Sequence, residues 1–212
     1  MKIVEPYAKI YSIENDALKK IEYCARISHR SEDKITEQSW ERFLRFVVIE
    51  KGDWSVVEHA TASVEFLVDR GITHELVRHR LFSFTQESTR FVNYDKKMEP
   101  SFILPVDLSP VGQKHWEIAI DEAEKSYRGI LGGSSPQIAR SVFPNALASK
   151  LIITGNLRNW RHFLIMRTTL ESHPQMRQVT IPLLEEFQAR IPIFYEDIVP
   201  NQKQSIAIAK AR

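Results

Sequence analysis

The sequence predicts an α+β domain, in which a small, mainly antiparallel sheet packs against long helices, with an additional helical part. Two observations support this fold class. Helical apolar spacing recurs in several long segments, whereas the apolar–polar alternation of a strand appears in few. The strand-like segments also do not alternate strictly with helices, as they would in a parallel βαβ fold. We treat residues 1–212 as one domain, with a tail after about Pro200 that we expect to be loose.

Composition limits the functions that the chain can serve. The 29 basic and 27 acidic side chains leave a net charge of +2, which is too small for bulk binding of nucleic acid or of an acidic membrane. The single cysteine, Cys24, cannot form an internal disulfide, so we expect a reducing cytoplasm. The N-terminus is charged and interrupted by Pro6, unlike a signal peptide, and no apolar run is long enough to span a membrane.

An extended N-terminal segment is expected over residues 3–13, and two amphipathic helices follow it. Asn15 or Asp16 caps the first helix, whose apolar stripe comprises Leu18, Ile21, Cys24 and Ala25. The second helix is capped by Thr36 and ends at Gly52.

A capped turn, a strand and a third helix come next. Ser55 and Glu58 have the spacing of a capping box. The strand then places every second residue on an apolar face, namely Ala62, Val64, Phe66 and Val68. Gly71 turns the chain into a helix that begins at about Ile72 and that we expect to run to Ser83, before a polar loop.

The second half of the chain is predicted to be mainly helical. A long helix follows Pro110 and ends at Gly132, and another begins with Pro136 at its first position. A short apolar strand over residues 150–156 runs directly into a basic helix, and a last long helix is expected to kink at Pro182.

The stretch RHRLFSFTQESTR, residues 78–90, contains three arginines and one histidine but only one carboxylate, Glu87. A solvated helix face would interleave both signs of charge, and guanidinium groups bind phosphate through paired hydrogen bonds. Arg78 and Arg80 stand too close in sequence to share one helical face, so they point in different directions. Two interpretations are open: a solvated helix end with a polar loop, or part of a site for anionic groups such as a phosphate monoester.

A second basic segment, NLRNWRHFLIMR, favours a binding site. Arg167 follows Trp160 by seven residues on the apolar stripe, and a buried arginine without a partner is costly. Its partner is therefore either a core carboxylate or an anionic or carbonyl-bearing ligand. Arg158 and His162 share another face, and Asn156 is a helix cap that could also bond a ligand. Two such segments in a nearly neutral chain predict one divided nucleotide site.

Several other chemistries lack support. The few glycines form neither a dinucleotide-binding nor a Walker loop. HELVRH, residues 74–79, spaces its histidines five apart, whereas a zinc-protease helix needs four, so no metal site is expected. Cys24 lies on an apolar stripe and is interpreted as a core residue, and Ser88 has no base with an orienting partner beside it in sequence.

The pattern R-H-R, seven residues, then S-x-R resembles the signature of the flavin-dependent thymidylate synthases. The resemblance covers most of the chain, from about Ala25 to Phe187. Further segments that occur in family order are ARIS, SVVEH, IAR before FP, GNLRNWRHFLIMR and SHPQMR. The resemblance implies a homotetramer whose active sites are shared between subunits and that methylates dUMP to dTMP. Methylenetetrahydrofolate would supply the carbon and FAD, reduced by NADPH, the hydride. No cysteine of the enzyme would attack the uracil, which agrees with the interpretation of Cys24.

The resemblance also implies roles for individual positions. The FAD contacts would be Ser55, Arg78, His79, Arg80, Gln86, Asn156, Arg158 and His162. The dUMP contacts would be Glu75, Leu76, Val77, Arg78, Gln86, Glu87, Ser88, Thr89, Arg90, Arg140 and Arg167. Glu75 stands where some relatives have glutamine, and its carboxylate would repel a phosphate.

Arg167 would be the catalytic residue, because its counterpart meets the uracil ring and favours the ionised N3. An anionic ring is more electron-rich at C5 and can attack the methylene group without a protein nucleophile. Two rivals are a non-catalytic nucleotide-binding protein that kept the fold and an RNA-binding module. The intact motif opposes the first, and the near-neutral charge opposes the second.

Overall fold

The computed structural model describes residues 1–95, 99–204 and 207–208. The strands are β1 Lys2–Ile3, β2 Tyr7–Ile13, β3 Thr61–Asp69, β4 Ser83–Gln86, β5 Ser101–Phe102 and β6 Ala148–Asn156. The α-helices are α1 Ala17–Ile27, α2 Ser39–Leu44, α3 Arg70–Leu76, α4 Pro110–Leu131, α5 Pro136–Ala139, α6 Leu157–Arg167, α7 Pro174–Arg190 and α8 Pro192–Tyr195. Short 3₁₀ helices span Glu32–Lys34, Trp54–His59 and Arg140–Val142, and a π-helix spans Arg45–Glu50. None of the helices in these ranges is long and apolar enough to cross a membrane.

Four strands form one sheet in the order β2-β3-β6-β4, while β1 pairs with β5 in parallel. The end of β6 lies beside the start of β3, where Leu157 N donates to Ala60 O at 2.9 Å. Further along, the hydroxyls of Ser63 and Thr154 are 2.7 Å apart, so these strands run antiparallel. The prediction of a small, mainly antiparallel sheet with many helices is confirmed, whereas the homotetramer stays a prediction.

The chain divides into two compact units. The first comprises Met1–Tyr7, Phe66–Arg78 and Thr85–Leu151, and the second comprises Ala8–Glu65, His79–Phe84 and Ile152–Arg212. That residues 1–212 act as one functional domain stays a prediction.

Each unit has its own aromatic core. In the first unit α4 supplies Tyr127, which is fully buried and stacks on Phe143 with ring centroids 4.2 Å apart. In the second unit α6 supplies Trp160, which is also fully buried and donates from Nε1 to Ala62 O at 3.0 Å. Because the indole N–H is satisfied, this large side chain can be buried without leaving an unpaired donor.

Several predicted elements are confirmed. The alternate residues Ala62, Val64, Phe66 and Val68 of β3 are all buried. α6 begins after Asn156, whose side chain caps it, and Gly52 ends the second helical segment with a positive φ of 77°.

The third helix was predicted wrongly. α3 begins at Arg70 and ends at Leu76, so the R-H-R motif lies beyond it, and Ser83–Gln86 is strand β4 rather than a loop. The aromatic ring of Phe82 packs 4.6 Å from that of Trp160, centroid to centroid. The His, Phe, Ser and Thr residues of this stretch favour a helix only weakly. Packing of the Phe82 ring against Trp160 therefore decides the backbone conformation here.

Two predicted caps and one predicted stripe also differ. Asp53 is the N-cap residue of the 3₁₀ helix over residues 54–59, and the Ser55 hydroxyl donates to the Asp53 carboxylate at 2.8 Å. α2 begins at Ser39 and not at Thr36. On α1 the buried face includes an ion pair of Glu22 with Arg26, while Cys24 is half-buried.

The tail after Pro200 was expected to be loose. In its described part, Asn201 N donates to Thr168 O at 2.8 Å and Gln204 N donates to Glu171 Oε2 at 2.9 Å. Residues 205–206 and 209–212 lie outside the described residues.

Candidate active site

In the first unit, Gln86 ties the end of β4 to α3. Its Nε2 donates to the hydroxyl of Thr73 at 3.1 Å and to that of Ser149 at 3.0 Å. Thr73 and Ser149 are both buried, so these two bonds hold the amide in one orientation. In this orientation the carbonyl oxygen of Gln86 can accept a hydrogen bond from a ligand.

Glu87 is fixed by the protein itself. Its backbone N–H donates to Lys150 O at 2.8 Å, and one carboxylate oxygen accepts from the Tyr94 hydroxyl at 2.8 Å. Burial, and then the bond to Glu87, raise the pKa of Tyr94 well above its usual range. The Tyr94 hydroxyl therefore keeps its proton and donates it to Glu87. This bond keeps the carboxylate in the turn that follows.

A tight turn follows Glu87. The carbonyl of Ser88 accepts from the N–H of Val92 at 3.0 Å, and the Ser88 hydroxyl accepts from Arg90 N at 3.3 Å. Arg140 donates from Nη1 to the buried Thr89 hydroxyl at 3.1 Å. The side chains of Arg90 and Arg140 are both exposed. The first unit thus brings together two guanidinium groups and a hydroxyl at one turn, a donor set suited to a phosphate.

The predicted contacts at the end of α3 differ in what they can offer. Leu76 is 1% exposed, so its side chain belongs to the core and only its backbone could touch a ligand. Val77 and Arg78 are exposed, and Glu75 is half-buried. Arg78 N donates to Glu75 O at 3.2 Å, which closes the last turn of the helix.

In the second unit, the chain after Arg78 lies along α6. His79 Nε2 accepts from Arg167 Nε at 2.8 Å, and the His79 ring meets Phe163 edge-on, with centroids 4.9 Å apart. Leu81 O accepts from the Asn159 side chain at 3.2 Å. Asn159, Phe163 and Arg167 follow one another at intervals of four residues and so share one face of the helix.

His79 is one partner of the Arg167 side chain. The sequence left open a core carboxylate or a ligand, and the atom bonded at Nε is an imidazole nitrogen of the first motif. Burial, then the charge of Arg167 and then that of His162, lower the pKa of His79 to about 4. At neutral pH the ring is therefore uncharged, with Nε2 as acceptor and the proton on Nδ1.

The remaining predicted flavin contacts of the second unit fall into two groups. Three of them already make bonds: Ser55 to Asp53, Arg158 Nη1 to Glu58 Oε1 at 2.6 Å, and Asn156 Oδ1 to the N–H three residues on at 2.8 Å. The Arg158–Glu58 pair is about half exposed and contributes little to stability, so a ligand can displace it at small cost. Arg80 and His162 are exposed.

Neither a second anion-binding cleft nor a metal site is supported. A cleft of about 890 Å³ in the second unit is lined in part by Arg26, Arg42 and Arg45. Arg26 is paired with the buried Glu22 and Arg45 with Glu196, so most of its positive charge is already neutralised. In the described part of the chain, no three His, Cys, Asp or Glu residues are close enough together to hold a metal ion.

Three residues that shape these two clusters were not predicted from the sequence. Gly155 lies against the Phe82 ring, and it could have been found because a glycine inside a strand often marks a close approach of another group. Asn159 shares a helical face with Arg167 and was open to the same reasoning. Tyr94 carried no local signal, since its role depends on the fold around Glu87.

Comparison with known proteins places these observations in a family. The family model described as "Thymidylate synthase complementing protein" matches residues 9–193. The flavin-dependent thymidylate synthase of Corynebacterium diphtheriae is 30% identical over 210 residues, which cover 89% of this chain and 82% of that protein. That of Corynebacterium aurimucosum is 32% identical over 205 residues, covering 87% and 80%. That of Mycobacteroides abscessus is 32% identical over 198 residues, covering 84% and 78%.

A solved structure has the same fold. The crystal structure of the UMP/dUMP methylase PolB from Streptomyces cacaoi, bound with 5-Br dUMP, superposes with a TM-score of 0.77. The match covers 92% of this chain and 96% of that one at 22% sequence identity. The fold is therefore shared across most of both chains. With the R-H-R…S-x-R motif, the match over residues 9–193 and relatives at 30% identity or more, the chain belongs to the thymidylate synthase complementing protein family, the family of the flavin-dependent thymidylate synthases.

Proposed function

We propose that this protein is a flavin-dependent thymidylate synthase that methylates dUMP to dTMP. Membership in the family supports thymidylate synthesis and a flavin cofactor. One observation carries the substrate assignment. The turn at Ser88 brings the exposed guanidinium groups of Arg90 and Arg140 to one hydroxyl-bearing loop.

The phosphate of dUMP is assigned to this turn. Arg90 can bond the phosphate through two parallel N–H groups, and Arg140 is oriented by its bond to Thr89. Glu87 is the nearest carboxylate in sequence, and its bond to Tyr94 holds it in the turn. A phosphate monoester carries nearly two negative charges, so two guanidinium groups balance it.

The flavin is assigned to the second unit, with Gln86 and Arg78 of the first as further predicted contacts. The exposed Arg80 and His162, the weakly paired Arg158 and the N-terminus of α6 after Asn156 all offer positive charge or N–H donors. This donor set fits an anionic dinucleotide such as FAD. When bound, FAD would supply the hydride that it takes from NADPH.

Catalysis is assigned to Arg167. Its guanidinium is positively charged and half-buried. Placed against the uracil carbonyl and N3, it stabilises the ring anion more than the neutral ring, so it lowers the barrier as well as aiding binding. The resulting charge at C5 allows the ring to attack the methylene carbon of methylenetetrahydrofolate, with no protein nucleophile. The half-buried Cys24 on α1 has no part in this scheme.

Several wider assignments rest on the family resemblance. We propose that the chain acts as one functional domain in the cytoplasm and assembles as a homotetramer with active sites shared between subunits. No nucleic acid or membrane partner is assigned. Size-exclusion chromatography with light scattering tests the assembly, and a stable monomer that binds FAD stoichiometrically would contradict the shared sites.

The proposed reaction is tested by tritium release from dUMP labelled at C5. We expect release and dTMP formation only when methylenetetrahydrofolate and NADPH are both supplied to the FAD-loaded protein. Purified protein that binds FAD and dUMP but forms no dTMP under these conditions would favour the non-catalytic nucleotide-binding rival.

A further inference from the structure

We propose that Thr73 and Ser149 are positioning residues, which hold the amide of Gln86 so that only its carbonyl oxygen faces the substrate. The group from which this oxygen accepts is the 3′-hydroxyl of dUMP. The inference rests on the function proposed above, and specifically on the assignment of the dUMP phosphate to the turn at Ser88. Neither Thr73 nor Ser149 is among the predicted substrate contacts.

The hydrogen bonds of Thr73 determine which end of the Gln86 amide faces inward. The Thr73 hydroxyl donates its single proton to Arg70 O at 2.9 Å, so it can only accept a bond from Gln86. The amide atom that lies 3.1 Å from this hydroxyl is therefore the donor, Nε2. An amide turned over would place its carbonyl oxygen against a lone pair of Thr73, with no proton between the two oxygens.

Ser149 on β6 is the second partner of the amide. Nε2 of Gln86 donates its other proton to the Ser149 hydroxyl at 3.0 Å, so both protons of the amide are used. Thr73 is fully buried and Ser149 is 1% exposed, so water does not compete for these two bonds. What Gln86 offers to a ligand is its acceptor oxygen.

Gln86 also stands beside the proposed phosphate site. β4 continues its pairing with β6 as far as Glu87, whose N–H donates to Lys150 O at 2.8 Å. In an extended chain, residues two apart face the same side, so Gln86 and Ser88 lie on one side with their Cα atoms roughly 7 Å apart. A nucleotide whose phosphate is bound at the turn therefore has the part next to its phosphate close to the Gln86 oxygen.

The chemistry of dUMP identifies the group that meets this oxygen. In a nucleoside 5′-monophosphate the sugar is joined directly to the phosphate, so it is the part nearest to the turn. Deoxyribose has a single hydrogen-bond donor, the hydroxyl on C3′, whereas its ring oxygen can only accept. A carbonyl held with its oxygen outward selects that hydroxyl and disfavours an acceptor in its place.

The two buried hydroxyls make this selection lasting. A glutamine amide on a free side chain can turn over and present either its N–H groups or its oxygen. In this protein, turning over would break the bonds to Thr73 and Ser149 and leave their oxygens facing a carbonyl. A nucleotide that cannot donate at C3′ therefore removes water from the Gln86 oxygen and gives it no partner in return.

Binding of two nucleotides to the FAD-loaded protein tests this assignment. One is dUMP and the other is 2′,3′-dideoxy-3′-fluorouridine 5′-monophosphate, whose fluorine resembles a hydroxyl in size but cannot donate. Calorimetry gives the preference, defined as the Kd of the fluoro nucleotide divided by the Kd of dUMP. The two nucleotides share their phosphate and base, so a purely structural defect changes both Kd values together and leaves the preference unchanged.

The variants separate the hydroxyl from the amide that it holds. Thr73→Val removes the hydroxyl, Thr73→Ser keeps it, and Gln86→Leu removes the amide. Thr85→Val is the matched control, because Thr85 is an exposed threonine on β4 next to Gln86. The parent, Thr73→Ser and Thr85→Val should prefer dUMP by about five- to tenfold, the effect of one hydrogen bond between neutral groups. The preference should fall to within about twofold in Thr73→Val and Gln86→Leu, and Ser149→Ala should be intermediate.

The results that overturn the inference are distinct from those that overturn the proposed function. If the parent forms no dTMP from dUMP, the proposed function fails, whereas the preference is a binding measurement that does not depend on turnover. If the parent binds both nucleotides equally, or if Thr73→Val keeps the preference of the parent, the positioning role fails. If Thr73→Val does not fold, Thr73→Ala takes its place and is judged by the same criterion, since alanine also lacks the hydroxyl and favours a helix.

Discussion

Replacing Gly155 with alanine should disrupt the packing beneath the R-H-R motif. A Cβ at this position would lie 2.2 Å from Cδ1 and 2.4 Å from Cε1 of Phe82, distances at which the ring must move. The ring has little room to do so, because its centroid is 4.6 Å from that of Trp160 and 6.1 Å from that of Phe163. Overpacking of this kind costs roughly 1–3 kcal/mol. For a chain of this length, each kcal/mol lowers the melting temperature by about 2–4 °C.

Thermal and urea unfolding of Gly155→Ala measure this effect. The matched control is Gly129→Ala on α4, where an added Cβ meets nothing within 4 Å. The control should be unchanged or more stable by about 0.5–1 kcal/mol, because alanine favours a helix. Adding Phe82→Leu to Gly155→Ala should recover part of the loss, and a double-mutant cycle gives the coupling. An unfolding midpoint for Gly155→Ala equal to that of the parent would refute the reasoning.

Four further predictions test other parts of the molecule. Cys24→Ser should leave turnover intact and cost about 1 kcal/mol of stability; a folded variant that binds FAD and dUMP but cannot methylate would refute the mechanism. Arg90→Ala should weaken dUMP by about ten- to hundredfold and deoxyuridine far less, since a charge-assisted bond contributes roughly 1.5–3 kcal/mol; calorimetry showing equal losses would make Arg90 structural. Tyr94→Phe should weaken dUMP binding by releasing Glu87, so unchanged affinity in the same calorimetry would mean that the turn holds without this bond. The pKa of His79 is about 4 in the folded protein and about 6.5 in the unfolded one, so unfolding takes up a proton and stability should fall as the pH drops from about 6.5 to 4. The urea midpoint of His79→Gln should fall less over that range. Parallel curves of midpoint against pH for the variant and the parent would contradict this.

The sequence predicted elements whose signals are local. The alternation of Ala62, Val64 and Phe66 identified β3, because a strand with one buried face needs apolar residues at every second position. The cap at Asn156 and the spacing of the residues that follow placed α6 correctly. These patterns depend on a few neighbouring residues and on backbone geometry alone.

Tertiary packing decided what the sequence could not. The end of α3 at Leu76 depends on where Phe82 finds its aromatic partners, and those lie in a helix more than seventy residues away. The apolar stripe of α6 required a partner for Arg167, but it could not name His79, which is 88 residues distant. Local periodicity therefore predicts that a buried arginine must be satisfied, and only the fold determines by which atom.

In the proposed mechanism, the arginines of this protein serve two electrostatic tasks that need different surroundings. The phosphate of dUMP is charged before, during and after reaction, so exposed and adaptable donors such as Arg90 and Arg140 are sufficient to bind it. The negative charge on uracil develops only on the way to the transition state, and a donor that must reorient at that moment would lose its advantage. Arg167 is accordingly half-buried, bonded at its backbone by Thr180 and at Nε by a neutral imidazole. On this reasoning, rigidity matters most at Arg167, whose backbone and Nε are each held by a hydrogen bond.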